Sequence, residues 1–235
     1  MIQLELNGAR VAFSTREGGV SQGPYESLNL GILTDDDRDK VSENRRRLAG
    51  ALGLDPGRVA MGWQVHGTDL KEWSAAPEQG GYAHVGADLP KVDGHTTGER
   101  ELALLVLAAD CLPVALAGGD KVAMLHCGWR GLAAGIIERT LERFPEPPAA
   151  ALGPSIEACC YEVGPEVMEA FGDIKGVTNG RHLSLRQVAF QKLNGAGVSH
   201  IESVPLCTSC RADLFFSHRR DAGVTGRQAG IIWRT

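Results

Sequence analysis

The amino-acid sequence predicts a layered α/β or α+β protein, and three observations carry that prediction. Several segments are continuous apolar runs of strand length, as expected of strands buried on both faces. Amphipathic helical patterns lie between them. The two kinds of segment are intermixed without the strict alternation of a doubly wound parallel sheet.

In chain order, strands are expected at 11–15, 59–65, 102–109, 114–117, 122–126, 149–152, 200–206 and 228–234. The clearest helix is 132–144. There Leu132, Ile136, Ile137, Leu141 and Phe144 fall on one side, and Glu138, Arg139, Glu142 and Arg143 on the other. Segments 36–52, 164–171 and 184–193 are further helices. The stretch 74–94 carries Pro77, Gly80, Gly81, Gly86 and Pro90 and reads as a long loop, either a boundary or a functional element. Chemically interesting residues lie on both sides of it, so residues 1–235 are expected to form a single domain.

Composition narrows the function classes. The 235 residues carry 24 Lys plus Arg against 29 Asp plus Glu, a formal charge of −5, with 43% hydrophobic and 23% charged residues. Disorder and a polybasic nucleic-acid surface are both excluded by these proportions. A chain of this length buries about 70 to 75% of its unfolded surface and needs no crosslink merely to fold. The N-terminus lacks a basic start followed by an apolar core, so no secretory leader is expected and the compartment is read as cytoplasmic. The longest apolar run, 102–117, is interrupted by Asp110 and Pro113 and ends at Gly118 and Gly119, which argues against a membrane helix. Small-molecule partners are expected, with no nucleic acid and no membrane. No self-complementary patch stands out, which favours a monomer.

Six cysteines in a reducing compartment read as core residues, ligands or nucleophiles rather than disulfides. The segment Cys207-Thr208-Ser209-Cys210 could be a redox pair or half of a structural zinc site, but no thioredoxin-like context and no second CxxC accompany it, so it reads as a buried or loop thiol pair. Cys127, Cys159 and Cys160 receive the same reading. His84, His95, His182 and His200 look like loop residues.

No phosphate-binding loop, nucleophile elbow or paired-histidine zinc helix is present. Instead, polar residues stand at the ends of apolar strands. His66 follows Gln64-Val65, Cys111 follows the run 102–109 directly after Asp110, and His126 ends 122–126 and leads through Gly128 into the best helix. Two imidazoles and one thiolate suit zinc, and three protein ligands leave a fourth position open. No short spacing motif joins them, and each alone has an ordinary core or loop explanation.

Other segments are specific enough to notice. Phe13 to Ser21 ends a strand in a glycine turn near Asn29, where Arg16 and backbone N–H groups could hold an anion or the chain could simply turn. Asn44 and Arg45 share a helix with Arg46 and Arg47, and the last two read as a solvated face. Arg130 opens the helix 132–144, a favourable place to grip an anion. The block from Phe215 to Gln228, with Arg219, combines aromatics with cations.

Taken together, Phe13-Ser14-Thr15-Arg16-Glu17-Gly18-Gly19, Ser27-Leu28-Asn29-Leu30-Gly31, Gln64-Val65-His66-Gly67, Ala109-Asp110-Cys111-Leu112-Pro113, His126-Cys127-Gly128-Trp129-Arg130-Gly131, Leu152-Gly153-Pro154-Ser155-Ile156 and the Phe215 to Gln228 block resemble one family. It is that of the laccase-domain or "polyphenol oxidase" proteins, related to the YfiH group and understood as zinc-dependent purine nucleoside phosphorylases. The resemblance implies a single four-layer α/β/β/α sandwich of cysteine-hydrolase-like type, with His66, Cys111 and His126 as zinc ligands. It implies phosphorolysis of adenosine, inosine, guanosine and 5'-methylthioadenosine, together with adenosine deamination. The older family label would make the metal copper, but a multicopper oxidase needs more His ligands than the seven in this chain offer. The family's acidic segment is matched only in part by Asp93-Gly94-His95-Thr96-Thr97.

On this reading Arg45, Arg130 or Arg219 orients phosphate. Asn29, Gln64 and Asp93 read base or ribose, and Asp93 can also shuttle a proton. The alternatives are a metal-free cysteine hydrolase, with Cys111 as nucleophile, His126 or His66 as base and Asp110 orienting, or a non-enzymatic ligand-binding accessory protein.

Overall fold

A computed structural model describes residues 1–78 and 80–235. The chain opens with strands β1 (Ile2–Leu6) and β2 (Ala9–Phe13), then helix α1 (Arg38–Leu52), β3 (Val59–Ala60), β4 (Leu70–Trp73), β5 (Gly94–Thr97) and β6 (Ala103–Ala108). It continues through β7 (Leu112–Gly118), β8 (Lys121–Cys127), α2 (Trp129–Ala133), α3 (Ile136–Leu141), β9 (Ala149–Leu152) and α4 (Pro165–Ala170). Last come β10 (Thr178–Asn179), β11 (His182–Leu183), α5 (Leu185–Gly195), β12 (Ile201–Ser203) and β13 (Gln228–Arg234). No helix among the described residues is long and apolar enough to cross a membrane.

Two mixed sheets form the centre. One has the order β1-β2-β13-β6-β3, the other β12-β9-β7-β8-β5-β4. The apolar strands that read as continuous runs still alternate, because each face meets a different core. On the first sheet Val11, Phe13, Leu104, Val106 and Ile232 turn towards the other sheet, while Ala12, Leu105, Ile231 and Trp233 turn towards Leu48 and Leu52 of α1. On the second sheet Ala115, Ala117, Met124 and Ala151 fill the space between sheets. Val114, Leu116, Leu125 and Leu152 pack outward on Leu132, Ile136 and Val188 of the helices. Helix, sheet, sheet and helix therefore stack as four layers, as the resemblance implied.

Several boundaries differ from expectation for local reasons. The strand expected at 59–65 pairs only over Val59–Ala60, and 200–206 pairs only over Ile201–Ser203. The helix expected at 132–144 is two short helices broken at Gly135, whose φ of 91° lies in the left-handed region. The strand β1 was missed, although Asn7-Gly8 between β1 and β2 is a strong hairpin signal: both residues have positive φ, 47° and 79°, as a two-residue turn demands. Within 74–94, apart from Gln79, the described residues form turns and bends, and the strand β5 begins at Gly94. His95 departs from the loop position expected of it. It lies in β5, is fully buried, and accepts a hydrogen bond at Nδ1 from Trp73 Nε1 at 3.2 Å. Burial pushes its imidazole down to about 4, so it is a neutral core group.

The buried face of α1 carries polar hubs rather than binding groups. Asn44 is fully buried. It donates to Ser21 Oγ and to the carbonyls of Ser27 and Asn29, and accepts from the Val20 N–H. Arg45 donates to the carbonyls of Leu30, Gly81 and Tyr82 and stacks on the Tyr82 ring. Asn29 is also fully buried, and donates to Thr34 and Asp36 while accepting from the N–H groups of Gly31 and Arg227. Arg45 and Asn29, expected to contact substrate, are thus buried and fasten loops in this structure. The glycine turn is likewise pinned: Arg16 donates to the carbonyls of Glu26 and Ala212. Arg46 and Arg47 do form the expected solvated face, paired with Glu43.

Asn44→Ala strands several buried partners at once, and its expected cost is about 2–4 kcal/mol. Urea unfolding should show this as a lower midpoint at unchanged slope, whereas Arg46→Ala on the same helix should leave the midpoint where it is.

Candidate functional site

The three strand-end residues converge because the chain changes sheets where they sit. The chain passes from β6 in the first sheet to β7 in the second through the corner Ala109-Asp110-Cys111. Asp110 there takes φ 90°. Its carboxylate is fixed on both oxygens, Oδ1 accepting from Thr208 Oγ1 at 2.7 Å and Oδ2 from the Arg219 N–H at 2.7 Å. His66 lies in the passage from β3 to β4, again between sheets, and takes φ 61°. Non-glycine residues in this region are uncommon and concentrate where surrounding contacts impose them. His126 is held by the ladder itself, opposite Pro113 of β7.

The potential ligand atoms of His66, Cys111 and His126 all lie within 4.8 Å of one another. Cys111 Sγ is 3.7 Å from His66 Nε2, and the two imidazoles meet edge to face at 4.8 Å. Tetrahedral zinc with one sulfur and two nitrogen ligands sets neighbouring donors about 3.5 Å apart, so the donor set and its spacing fit such an ion. Gly128 makes the approach possible: a Cβ there would stand 2.7 Å from His66 Cδ2 and 3.3 Å from Cys111 Sγ.

Asp93, expected to touch substrate, is instead fully buried behind this group. Its carboxylate takes the N–H groups of Val65, His66 and Gly67 at 2.8 to 3.0 Å and faces His126 Nδ1 at 2.8 Å. Burial alone would push the carboxyl up, but the bonds from His126 and the backbone hold it below its usual range. With Nδ1 engaged, Nε2 of His126 is left for a ligand. Asp93, not Asp110, is therefore the carboxylate that orients a histidine.

Cys111 and His126 polarise one another. Burial pushes the thiol up, yet the His126 charge and the hydrogen bonds from His126 and His66 outweigh it and bring it down to about 6. Burial disfavours the His126 cation, but Cys111 and Asp93 raise it to about 9.

These residues open onto a cavity of about 430 Å³, within the size range of small-molecule sites. Of the expected contacts, Gln64, Arg130 and Arg219 line it. The Gln64 amide is clasped to Leu107, donating to its carbonyl and accepting from its N–H. Arg130 stacks on Trp129 and Arg219 on Tyr161. Because α2 is only five residues long, Arg130 stands at a single turn rather than at the long helix expected. Arg227 and His218 also line the cavity. The sequence placed both in the aromatic and cationic block without assigning them a role. Leu33 and Trp63 are exposed apolar residues on its rim.

The fold also gathers a second group that the sequence reading dispersed. Cys159, Cys160, Cys207 and Cys210 bring their sulfurs within 4.8 Å of one another. The four are free thiols on turns, as expected, but the fold sets the CxxC beside a vicinal pair some fifty residues upstream, a neighbour the sequence does not announce.

Comparison with known proteins agrees with the resemblance. The family described as "multi-copper polyphenol oxidoreductase laccase" matches residues 10–235. "Purine nucleoside phosphorylase YfiH" of Escherichia coli is 40% identical, covering 96% of this chain and 94% of its own. "Purine nucleoside phosphorylase YlmD" of Geobacillus stearothermophilus is 36% identical, covering 97% and 90%. The crystal structure of Bacillus licheniformis hypothetical protein YfiH superimposes with a TM-score of 0.90 at 31% identity, covering 97% of this chain and 94% of that one. The chain belongs to this laccase-like family, and its curated relatives carry the name of an enzyme.

In metal-stripped protein, alkylation of Cys111 read by peptide mass should rise through about pH 6. His126→Ala removes the cation that favours the thiolate and should move that midpoint up towards the ordinary thiol range, about 8.5.

Proposed function

We propose that the protein is a zinc-dependent purine nucleoside phosphorylase with adenosine deaminase activity, acting as one domain in the cytoplasm. The observation that carries this reading is the convergence of His66, Cys111 and His126 at the edge of a cavity that also presents Arg130, Arg219 and Arg227. Relatives named purine nucleoside phosphorylases support the same choice. Multicopper chemistry fits poorly: among the described residues only two histidines join a potential metal-binding group, and the third donor there is a thiol.

His66, Cys111 and His126 would hold the zinc, which when bound supplies a Lewis acid with an open coordination position. The chain's own residues supply the rest. None of Arg130, Arg219 and Arg227 is in an ion pair among the described residues, so their charge is available to an anion. Inorganic phosphate held by such guanidiniums is oriented and partly neutralised. A phosphate oxygen then bonds to C1' of the ribose as the C1'–N9 bond breaks, and the purine leaves with a proton. Adenosine, inosine, guanosine and 5'-methylthioadenosine present the same reacting atoms. Apolar and aromatic walls at Met61, Trp63, Leu89 and Tyr161 suit a purine and exclude water. Deamination at the same site adds water at C6 of adenine and releases ammonia. Asn29, Arg45 and Asp93 act at one remove, by fixing the loops and the imidazole.

Adenosine incubated with phosphate should yield adenine and ribose 1-phosphate, and inosine without phosphate. Cys111→Ser should lower both rates by at least about 100-fold, roughly 2.7 kcal/mol of transition-state stabilisation. A strong chelator should abolish activity and zinc restore it; indifference to both would support the thiol hydrolase instead.

Asp93→Asn keeps the size of the side chain but weakens its grip on His126. Zinc affinity, measured by competition with a chromophoric chelator, should fall about 10- to 100-fold.

A further inference from the structure

We propose that Cys159, Cys160, Cys207 and Cys210 form a second, structural zinc site that staples one wall of the cavity. Cys159 Sγ and Cys160 Sγ stand 3.5 and 3.4 Å from Cys210 Sγ, and all four sulfurs lie within 4.8 Å of one another. A disulfide would bring a pair of sulfurs to about 2.05 Å, whereas four thiolates around one zinc stand about 3.8 Å apart. The spacing is too wide for a disulfide and lets one ion reach all four sulfurs, and an all-sulfur donor set selects a soft or borderline ion.

The surroundings are built for such an ion. Cys159 and Cys210 are exposed, so burial gives no reason for thiols there. The two cysteine-bearing turns belong to no helix or major strand, yet they are locked in register: Ser155 bridges to Cys207, and the Thr208 N–H donates to the Ser155 carbonyl. Within each turn, the Cys160 N–H donates to the Glu157 carbonyl and the Arg211 N–H to the Cys207 carbonyl. Arg220, paired with Asp221, donates to the carbonyls of Thr208 and Ser209 and so holds the backbone of the second turn in place.

The consequence reaches the cavity. Ile156 and Tyr161 flank the first pair, His218 and Arg219 follow the second, and all four line the cavity. An ion joining the pairs fixes the distance between these two parts of the wall, which otherwise rests on loop hydrogen bonds. Such a site contributes to folding free energy outright, unlike a site that keeps a position open for substrate.

The test counts metal in protein purified under reducing conditions, and does not depend on the phosphorylase reading. Cys111→Ser should retain one zinc per chain, and a triple variant adding Cys159→Ser and Cys210→Ser should retain none. Cobalt loaded into Cys111→Ser should give the thiolate-to-metal absorption of a tetrathiolate site, lost in the triple variant. The wild-type chain should lose thermal stability when the Cys159→Ser/Cys210→Ser pair is introduced, while circular dichroism at low temperature shows it folded. The proposal is overturned if fully reduced Cys111→Ser binds neither zinc nor cobalt. It is overturned equally if the triple variant binds as much metal as Cys111→Ser. Because the first of these uses the four cysteines intact, a misfolded triple variant does not shelter the proposal.

Discussion

The site depends on one buried carboxylate. Asp93 sits immediately before β5, next to the edge strand of the second sheet, and its carboxylate faces three successive backbone N–H groups of the 65–67 turn and the Nδ1 of His126. A carboxylate removed from water costs several kcal/mol unless its lone pairs are satisfied. Here that requirement dictates geometry. The turn must bring its N–H groups to Asp93, which places His66 in the left-handed region, and His126 must present Nδ1 inward, which leaves Nε2 outward. The orientation of the His126 imidazole and the backbone conformation at His66 are thus answers to one burial problem. The ladder bond from the His126 N–H to the Asp93 carbonyl joins the same two residues a second time, so the carboxylate cannot drift from the ring it orients.

Sheet architecture supplies the third member. Two sheets packed face to face require the chain to pass between them, and the passages gather at an edge of the sandwich. Cys111 is placed by the shortest such passage, only three residues long. Gly128 is needed for space rather than for conformation: its φ of −76° is open to any residue, but a side chain there would occupy the place of the His66 ring. The many glycines of the sequence therefore do different work. Gly135 breaks a helix by its φ, and Gly128 admits the side chains of His66 and Cys111 by its lack of one.

Much of this was legible in the sequence, and the part that was not has a physical pattern. His66, Cys111 and His126 stood out because polar residues directly after apolar strands mark the strand ends, and donor chemistry grouped them before the fold did. The four-layer arrangement followed from family resemblance, while the apolar runs alone could not show which face of each strand met which core. The surroundings of Asp93 are not legible, because nothing local reveals that backbone groups from 65–67 will surround it. The burial of Arg45 and Asn29 is hidden for the same reason, since a buried polar hub and a ligand contact use the same side chains. The helix 132–144 had correct periodicity on both sides of a glycine whose left-handed conformation periodicity does not report. The hairpin at Asn7-Gly8 carries its signal in the turn residues, yet β1 is not among the expected strands.

The cysteines show where such reading reaches its limit. A CxxC invites a search for another CxxC, whereas the fold answers it with a vicinal pair carried by a different loop. Asp110 links that region to the first site. Its carboxylate holds Thr208, next to Cys207, and the backbone of Arg219, while its own carbonyl accepts from the Ile156 N–H. Its chain neighbour is Cys111. The wall that carries the four thiols is therefore joined to the residue beside Cys111 through hydrogen bonds to its carboxylate and its backbone. The placement of that wall and the placement of the Cys111 thiol are in this way coupled, and the coupling falls on loops because loops from both sheets meet at the edge where the chain crosses over.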